Sequence, residues 1–174
     1  MGNHFTNEKA VVEALQLSNS ATQVLLDVLT ISASDLATTQ WEKRFAVWVA
    51  EHDQTIRGLG IAGFDVDEIG WTVDEFENQK VFTLKAIDMA LQEHRWNTLP
   101  YSLNSPTGMK EQIKKFRGLV EAFNLQFIDR ANSWLLDGEY TPNFCQKHQV
   151  YMHEHGCIIC NAEVDVGSNS VPPP

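Results

Sequence analysis

The stretch CQKHQVYMHEHGCIIC, residues 145–160, holds all three cysteines of the chain and three of its six histidines. Two residues separate Cys145 from His148, and two separate Cys157 from Cys160. Each pair can form a tight turn that presents two ligands to one ion, and two such turns close the tetrahedron that Zn²⁺ adopts in structural sites. Because the segment is short and polar, we expect a bound metal to determine how it folds.

The identity of the fourth ligand stays open between two histidines. His148 is favoured because its spacing from Cys145 fits one turn, and His153 is the alternative. Three free cysteines without metal, or a disulfide between Cys157 and Cys160, are competing interpretations. The ligand spacing beside histidines favours a metal, and zinc is expected over iron for a mixed Cys/His tetrahedron.

A set of three thiolates and one imidazole predicts a structural metal. A catalytic zinc keeps one position open for water, whereas four protein ligands fill the coordination shell. The zinc deaminases that also use Cys and His carry an H-x-E motif ahead of P-C-x-x-C. Here His153-Glu154-His155 lacks that spacing, and no proline precedes Cys157. We therefore assign no catalytic residue.

Residues 145–161 resemble the zinc-ribbon and zinc-knuckle class of modules, which implies a structural Zn²⁺. The spacing His153-x3-Cys157-x2-Cys160 also resembles the signature of zinc-binding anti-sigma factors. That second resemblance implies a small helical protein that sequesters a transcription factor, with His153 as a metal ligand.

The rest of the chain is predicted to be mainly α, a bundle of four or five helices with the zinc-stabilised segment as a small C-terminal appendage. The hydrophobic spacing is typical of helices, and no βαβ alternation occurs. We expect a helical domain over residues 1–135, a zinc module over 140–163 and a disordered tail over 164–174. The expected helices are two short ones within 8–31, one over 40–57, one over 73–95 and one from 106 onward.

Two helix starts have sequence signals. Thr72 and Glu75 have the spacing of a capping box, with Trp71 and Phe76 at the flanking hydrophobic positions. Ser105-Pro106 is typical of an N-cap followed by proline at the first helical position. Between the third and fourth expected helices, the glycine-rich residues 58–71 predict a loop with tight turns.

Charge limits the class of partner. The chain of 174 residues has 13 basic and 23 acidic side chains, a net charge of −10. Nucleic acids and anionic membranes are bound through Lys and Arg, so both are unlikely partners. No apolar run approaches the roughly 20 residues that span a bilayer. We expect a cytoplasmic protein with a protein partner of basic or amphipathic character.

The acidic second half of the glycine-rich loop is the candidate surface for that partner. Asp65, Asp67, Glu68 and Trp71 combine negative charge with an aromatic side chain of the kind that dominates binding hot spots. The competing interpretation places Trp71 in the core and leaves the loop as a solvated acidic turn. Binding through residues 64–77 would make the chain an inhibitor-, immunity- or regulator-like interaction protein.

A metal-dependent enzyme is the alternative. His52 and Asp53 precede the glycine-rich loop, and Asp65 and Asp67 lie within it. Carboxylates beside a histidine can bind a hard cation or act as acid and base. This hypothesis requires the four side chains to meet in the fold.

Overall fold

The computed structural model describes the backbone of residues 3–128 and 141–168 and the side chains through residue 164. The mainly helical class is confirmed, with two small two-stranded sheets added. None of the helices in these ranges is long and apolar enough to cross a membrane. The elements are β1 (Asn3–Phe5), β2 (Leu15–Leu17), α1 (Asn19–Leu36), α2 (Gln40–Ala50), α3 (Gln54–Arg57), α4 (Phe76–Leu91), α5 (Pro106–Ala122), β3 (Phe144–Cys145), β4 (Val150–Tyr151) and α6 (Ile158–Ser168), with short 3-10 turns at Val66–Ile69, Trp96–Thr98 and Leu125–Phe127.

Helix α1 lies at the centre of the molecule. Ser18 caps its start, where the Ser18 hydroxyl accepts a hydrogen bond of 3.2 Å from the Ala21 backbone N–H. Nearly every side chain from Thr22 to Ser34 is buried, as expected of a helix with neighbours on all sides. Helices α2, α4 and α5 all contact it.

The expectation of two short helices within residues 8–31 is wrong in its first half. Leu15 and Leu17 are buried on either side of an exposed Gln16, and they pair antiparallel with β1. The spacing of two positions places both leucines on one face of a strand. Residues 8–14 form turns and coil ahead of this strand, and Val11 is fully exposed.

The helix expected over residues 40–57 is interrupted. Helix α2 ends at Ala50, and the Asp53 carboxylate accepts a hydrogen bond from the Thr55 N–H to cap the short α3. A capping box does occur at the start of α2, where Thr39 and Glu42 exchange hydrogen bonds with each other's backbone N–H. The box at Thr39 and Glu42 was not expected from the sequence, and the one expected at Thr72 and Glu75 is not formed.

The start expected at Val73 is wrong, because α4 begins at Phe76. The Thr72 hydroxyl accepts a hydrogen bond of 2.7 Å from the Gln79 amide and is therefore not used as a cap for Glu75. Trp71 and Phe76 do make the expected contact, with ring centroids 5.5 Å apart. At α5 the signals are confirmed, since Ser105 caps the helix and Pro106 is its first residue.

The C-terminal segment is part of the main core. Val150, Ile158 and Ile159 are fully buried in the same hydrophobic cluster as α1 and α2, and the Tyr151 N–H donates to the Ser34 hydroxyl. The expected appendage is therefore packed against the helical body. Helix α6 extends to residue 168, so the helix includes the first five residues of the tail expected to be disordered. Residues 169–174 lie outside the described ranges, as does the boundary near 135–140.

The glycine-rich loop runs against β1 at van der Waals distance. A Cβ atom built on Gly63 would lie 2.0 Å from the His4 carbonyl oxygen. The Thr6 N–H donates to the Phe64 carbonyl at 3.1 Å, and the Val66 N–H donates to the Thr6 carbonyl at 2.9 Å. The absence of a side chain at residue 63 allows this approach.

We predict that Gly63→Ala lowers the free energy of unfolding by about 1–3 kcal/mol, because the backbone must separate to accept the methyl group. Gly118→Ala is the matched control: it lies within α5, and its added Cβ meets nothing within 4 Å. That control should raise stability by about 1 kcal/mol through helix propensity. Urea unfolding measures both, and equal effects would contradict the proposed close approach.

Candidate metal centre

The structure brings together Cys145, His148, Cys157 and Cys160. One ligand atom from each residue lies within 4.8 Å of the others, and three of the four residues are buried. The His148 Nδ1 atom is 3.8 Å, 3.6 Å and 3.3 Å from the sulfur atoms of Cys145, Cys157 and Cys160. The sulfurs of Cys145 and Cys160 are 3.9 Å apart.

These distances fit one tetrahedral ion. With Zn–S bonds of about 2.3 Å and Zn–N bonds of about 2.0–2.1 Å, a regular tetrahedron has edges of ~3.8 Å between sulfurs and ~3.6 Å from sulfur to nitrogen. The four observed edges lie within about 0.3 Å of these values. The arrangement is compatible with a metal such as zinc bound by all four residues.

Short turns present the ligands in pairs. The Gln149 N–H donates to the Cys145 carbonyl at 2.7 Å, which closes the turn that places His148 beside Cys145. Gln149 itself has φ 54°, a left-handed conformation that allows β4 to leave the turn. The other pair spans the start of α6, where the Asn161 N–H donates to the Cys157 carbonyl and Cys160 lies in the first turn.

A carboxylate orients the histidine ligand. The His148 Nε2 atom lies 3.1 Å from the Glu163 carboxylate, which assigns the ring proton to Nε2 and leaves Nδ1 free to bind metal. Lys147 donates to the other Glu163 oxygen at 2.6 Å, and its hydrogen bond holds the pKa of Glu163 below its ordinary value. Sequence analysis missed Glu163, although its position three residues after Cys160 places both on one helical turn.

The three thiols differ in acidity. Burial raises the pKa of Cys157 to about 12, and burial also raises the pKa of Cys160. At Cys145 burial acts in the same direction, but hydrogen bonds from the His148 backbone N–H and the neighbouring thiols outweigh it and leave the pKa lowered. A bound cation displaces the thiol protons, so metal binding at this site releases protons.

The alternative ligand His153 has a different neighbour. Its Nε2 atom lies 3.4 Å from the Asp53 carboxylate, and its Nδ1 accepts from the His155 N–H. Asn161 also donates to Asp53, at 2.9 Å. Burial opposes the charged form of Asp53, but the hydrogen bonds from His153, Asn161 and Thr55 outweigh it and lower the pKa. These contacts hold residues 145–161, the metal segment, against Asp53 at the start of α3.

A second set of polar contacts lies on the other side. Arg95 donates to the His148 carbonyl at 2.5 Å and to both oxygens of Asp35, at the end of α1. Arg95 has φ 54° and ψ 24°, a left-handed conformation. No signal in the sequence connects Arg95 to residue 148, because the contact depends on how α1, α4 and the metal segment are packed.

Among the described residues, His52, Asp53, Asp65 and Asp67 do not come together as a group that could hold a metal. Among the residues that the structure describes, the four ligands above are the only group of three or more His, Cys, Asp or Glu placed to hold a metal. His52 is buried between Trp48 and Phe64, donates from Nδ1 to the Trp48 carbonyl, and has its pKa lowered to about 4 by burial. Asp53 is engaged in its contacts with His153 and forms no such group with His52.

Asp65 and Asp67, which belong to both the partner-surface and the enzyme hypotheses, stabilise the glycine-rich loop. Asp65 accepts from the Thr6 hydroxyl and from the N–H groups of Glu8 and Asp67, while its own N–H donates to Glu68. Asp67 forms an ion pair with Lys9 at 2.7 Å.

Trp71 lies in the core. It is 2% exposed, and its indole N–H donates to the Val66 carbonyl at 2.8 Å. Its ring stacks on those of Trp41 and Phe123. The core interpretation of Trp71 thus holds, and this residue is not available on the surface.

Comparison with known proteins returns no match: no family model, no curated protein and no solved structure matches the chain. The interpretation of the four-residue cluster rests on its geometry.

We predict different outcomes for alanine substitutions at the two histidines. His148→Ala should weaken zinc binding by more than about a hundredfold, because losing even an outer hydrogen-bond partner of a ligand costs 10–100-fold. His153→Ala should retain one zinc per chain and lower the free energy of unfolding by a few kcal/mol, since it leaves the buried Asp53 short of a partner. Titration against a chromophoric chelator and urea unfolding measure the two effects. Loss of zinc from the His153 variant alone would reverse the ligand assignment.

We predict that Glu163→Gln weakens zinc binding by about 10–100-fold while the chain stays folded, because His148 loses the carboxylate that orients its ring. Glu154→Gln is the matched control, since this carboxylate is in the same segment and its side chain is 84% exposed. The same chelator competition measures both. Equal affinities of the two variants would show that Glu163 has no part in metal binding.

Proposed function

We propose that the chain is a non-catalytic, protein-binding helical protein in which one zinc ion is structural. The observation that carries this proposal is the closed ligand set. Four of the six distances among the three sulfurs and the one nitrogen are close to those of a regular tetrahedron, and all six are within 4.8 Å. Four protein ligands leave no coordination position for a substrate or an activated water.

A structural ion is consistent with the way the segment is built. Its two strands have two residues each, so their hydrogen bonds contribute little order. The residues adjoining the ligands, Val150, Ile158 and Ile159, are fully buried against the helical body. Closing the metal site therefore fixes where these apolar side chains enter the core, and zinc binding becomes part of the folding free energy.

The proposed partner surface is the acidic face that extends from the loop into the start of α4. Residues 65–77 contain six acidic side chains and no basic one. Asp65, Asp67 and Glu68 hold the loop in shape through hydrogen bonds and an ion pair, and Glu68 is also exposed. Asp74, Glu75 and Glu77 are exposed to solvent as well. Exposed carboxylates of one sign attract a basic partner and accelerate its association.

Two aliphatic side chains give this face some apolar area. Val73 is 43% exposed and Val81 is 49% exposed. Interfaces are stabilised by apolar contacts within a polar rim. The proposed partner therefore presents basic residues around an apolar or amphipathic segment, and the function is inhibition or regulation of that partner by capture.

We predict that the triple variant Asp74→Lys, Glu75→Lys and Glu77→Lys weakens partner capture at least about tenfold, because it places like charges opposite a basic surface. The control triple Glu13→Lys, Glu111→Lys and Glu154→Lys makes the same change in net charge at exposed positions elsewhere. Asp65 and Asp67 are left unchanged because their substitution would disturb the loop itself.

The measurement is native mass spectrometry of zinc-loaded protein recovered from its own host, followed by titration of the recovered partner. Wild type and the control triple should retain a stoichiometric protein that the acidic-face triple loses. Equal capture by all three, or no stoichiometric protein on the wild type, would contradict the proposed partner surface.

A further inference from the structure

A pocket of about 520 Å³ lies between the start of α1, the segment before α5 and the first turns of α5. Ala162 of α6 closes one side of it, so all three regions and the metal segment contribute walls. The volume lies within the range of small-molecule sites, which is about 300–1,000 Å³. This pocket is separate from the metal ligands and from the acidic face.

The pocket wall is apolar with neutral polar groups. Val24, Leu103 and Met109 supply apolar surface, and serine hydroxyls and Asn and Gln amides supply hydrogen-bonding groups. None of the described residues that line it is Asp, Glu, Lys or Arg, although the chain has 36 such side chains. Burying an ion without a partner is costly, so this wall selects neutral ligands.

Two of the lining residues are fixed by a buried carboxyl group. The Tyr101 hydroxyl lies 2.5 Å from one oxygen of Asp27, and the Gln23 amide donates to the other at 2.9 Å. Asp27 is fully buried behind them, and this burial raises its pKa to about 8. The carboxyl group is therefore mainly protonated at neutral pH, which keeps this end of the pocket uncharged as well.

We propose that this pocket binds a neutral, mostly apolar small molecule that carries a hydroxyl group, held by Gln23 and Tyr101. The Gln23 amide has two N–H groups, and the Tyr101 oxygen has two lone pairs. Each can therefore bond a ligand while it holds Asp27. A hydroxyl group is both donor and acceptor, so it matches an N–H and an oxygen placed side by side, and its alkyl part contacts Val24, Leu103 and Met109.

The experiment compares 1-octanol, octanoate and octylammonium on the zinc-loaded full chain at neutral pH. The three probes each have eight carbons and carry a neutral hydroxyl, a negative carboxylate or a positive ammonium head group. Binding is followed through the amide signals of ¹⁵N-labelled protein. Octanol should bind saturably, with shifts centred on residues 101–109 of the pocket wall, and each charged probe should bind at least about tenfold more weakly.

Substitutions locate the site. Gln112 is half-buried at the pocket rim, so Gln112→Trp should fill the pocket and weaken octanol binding at least about tenfold. Lys115→Trp places the same side chain at an exposed position of the same helix and should leave binding unchanged. The Gln112 variant must keep wild-type circular dichroism, and Ala21→Leu fills the pocket from α1 should that variant fail to fold.

Several results would overturn the proposal. These are equal affinity for the three probes, tighter binding of octylammonium, shifts spread outside the pocket wall, or full octanol binding by the pocket-filling variant. Shifts of the same amides that depend on protein concentration without any probe would assign the pocket to contact between copies of the chain instead. The charge-reversal experiment on the acidic face is unaffected by any of these results.

Discussion

The approach of the Cys145, His148, Cys157 and Cys160 side chains to one point is the physical constraint that shapes the C-terminal segment, residues 141–168. Between Cys145 and Cys160 the backbone forms two turns and two strands of two residues each, which cannot hold a unique shape alone. In this segment Ile158 and Ile159 are fully buried and belong to the same hydrophobic cluster as residues of α1 and α2. The four-residue cluster and the hydrophobic core thus meet in one short segment.

Polar contacts on two sides of the candidate metal site hold it against the helices. At the start of α3, the Asp53 carboxylate lies beside the His153 ring and accepts a hydrogen bond from Asn161. At the end of α1, Arg95 donates to Asp35 and also to the His148 carbonyl. The Asp53 contacts are buried, and there the loss of one partner costs more than the pair gains. The Arg95–Asp35 pair is solvent-accessible and contributes less. The position of the metal site relative to the helices is therefore fixed by polar contacts as well as by packing.

Carboxylates in this acidic chain have three physical roles. Glu42, Asp53 and Asp65 cap helices or turns, where negative charge and backbone N–H groups meet favourably. Asp27 is buried and stays protonated beside the pocket. At the start of α4, Glu75 accepts a hydrogen bond from the Asn78 amide and Glu77 lies in the first turn, but both carboxylates and that of Asp74 are exposed to solvent. The proposed partner surface is placed there because these charges are accessible.

Spacing within a few residues was enough to predict the helical class, the start of α5 at Ser105-Pro106 and the four residues that the structure brings together at the candidate metal site. Spacing of two positions between ligands, or an N-cap before proline, is a local property that survives folding. The tertiary structure decided what depends on distant partners. The Gln79 amide donates to the Thr72 hydroxyl, and α4 begins at Phe76 rather than at Val73. Leu15 and Leu17 pair with β1 as a strand, where a helix was expected. His153 lies beside Asp53 rather than in the four-residue cluster. The contacts of Arg95 and the pocket beside Asp27 likewise arise only where elements far apart in the chain meet.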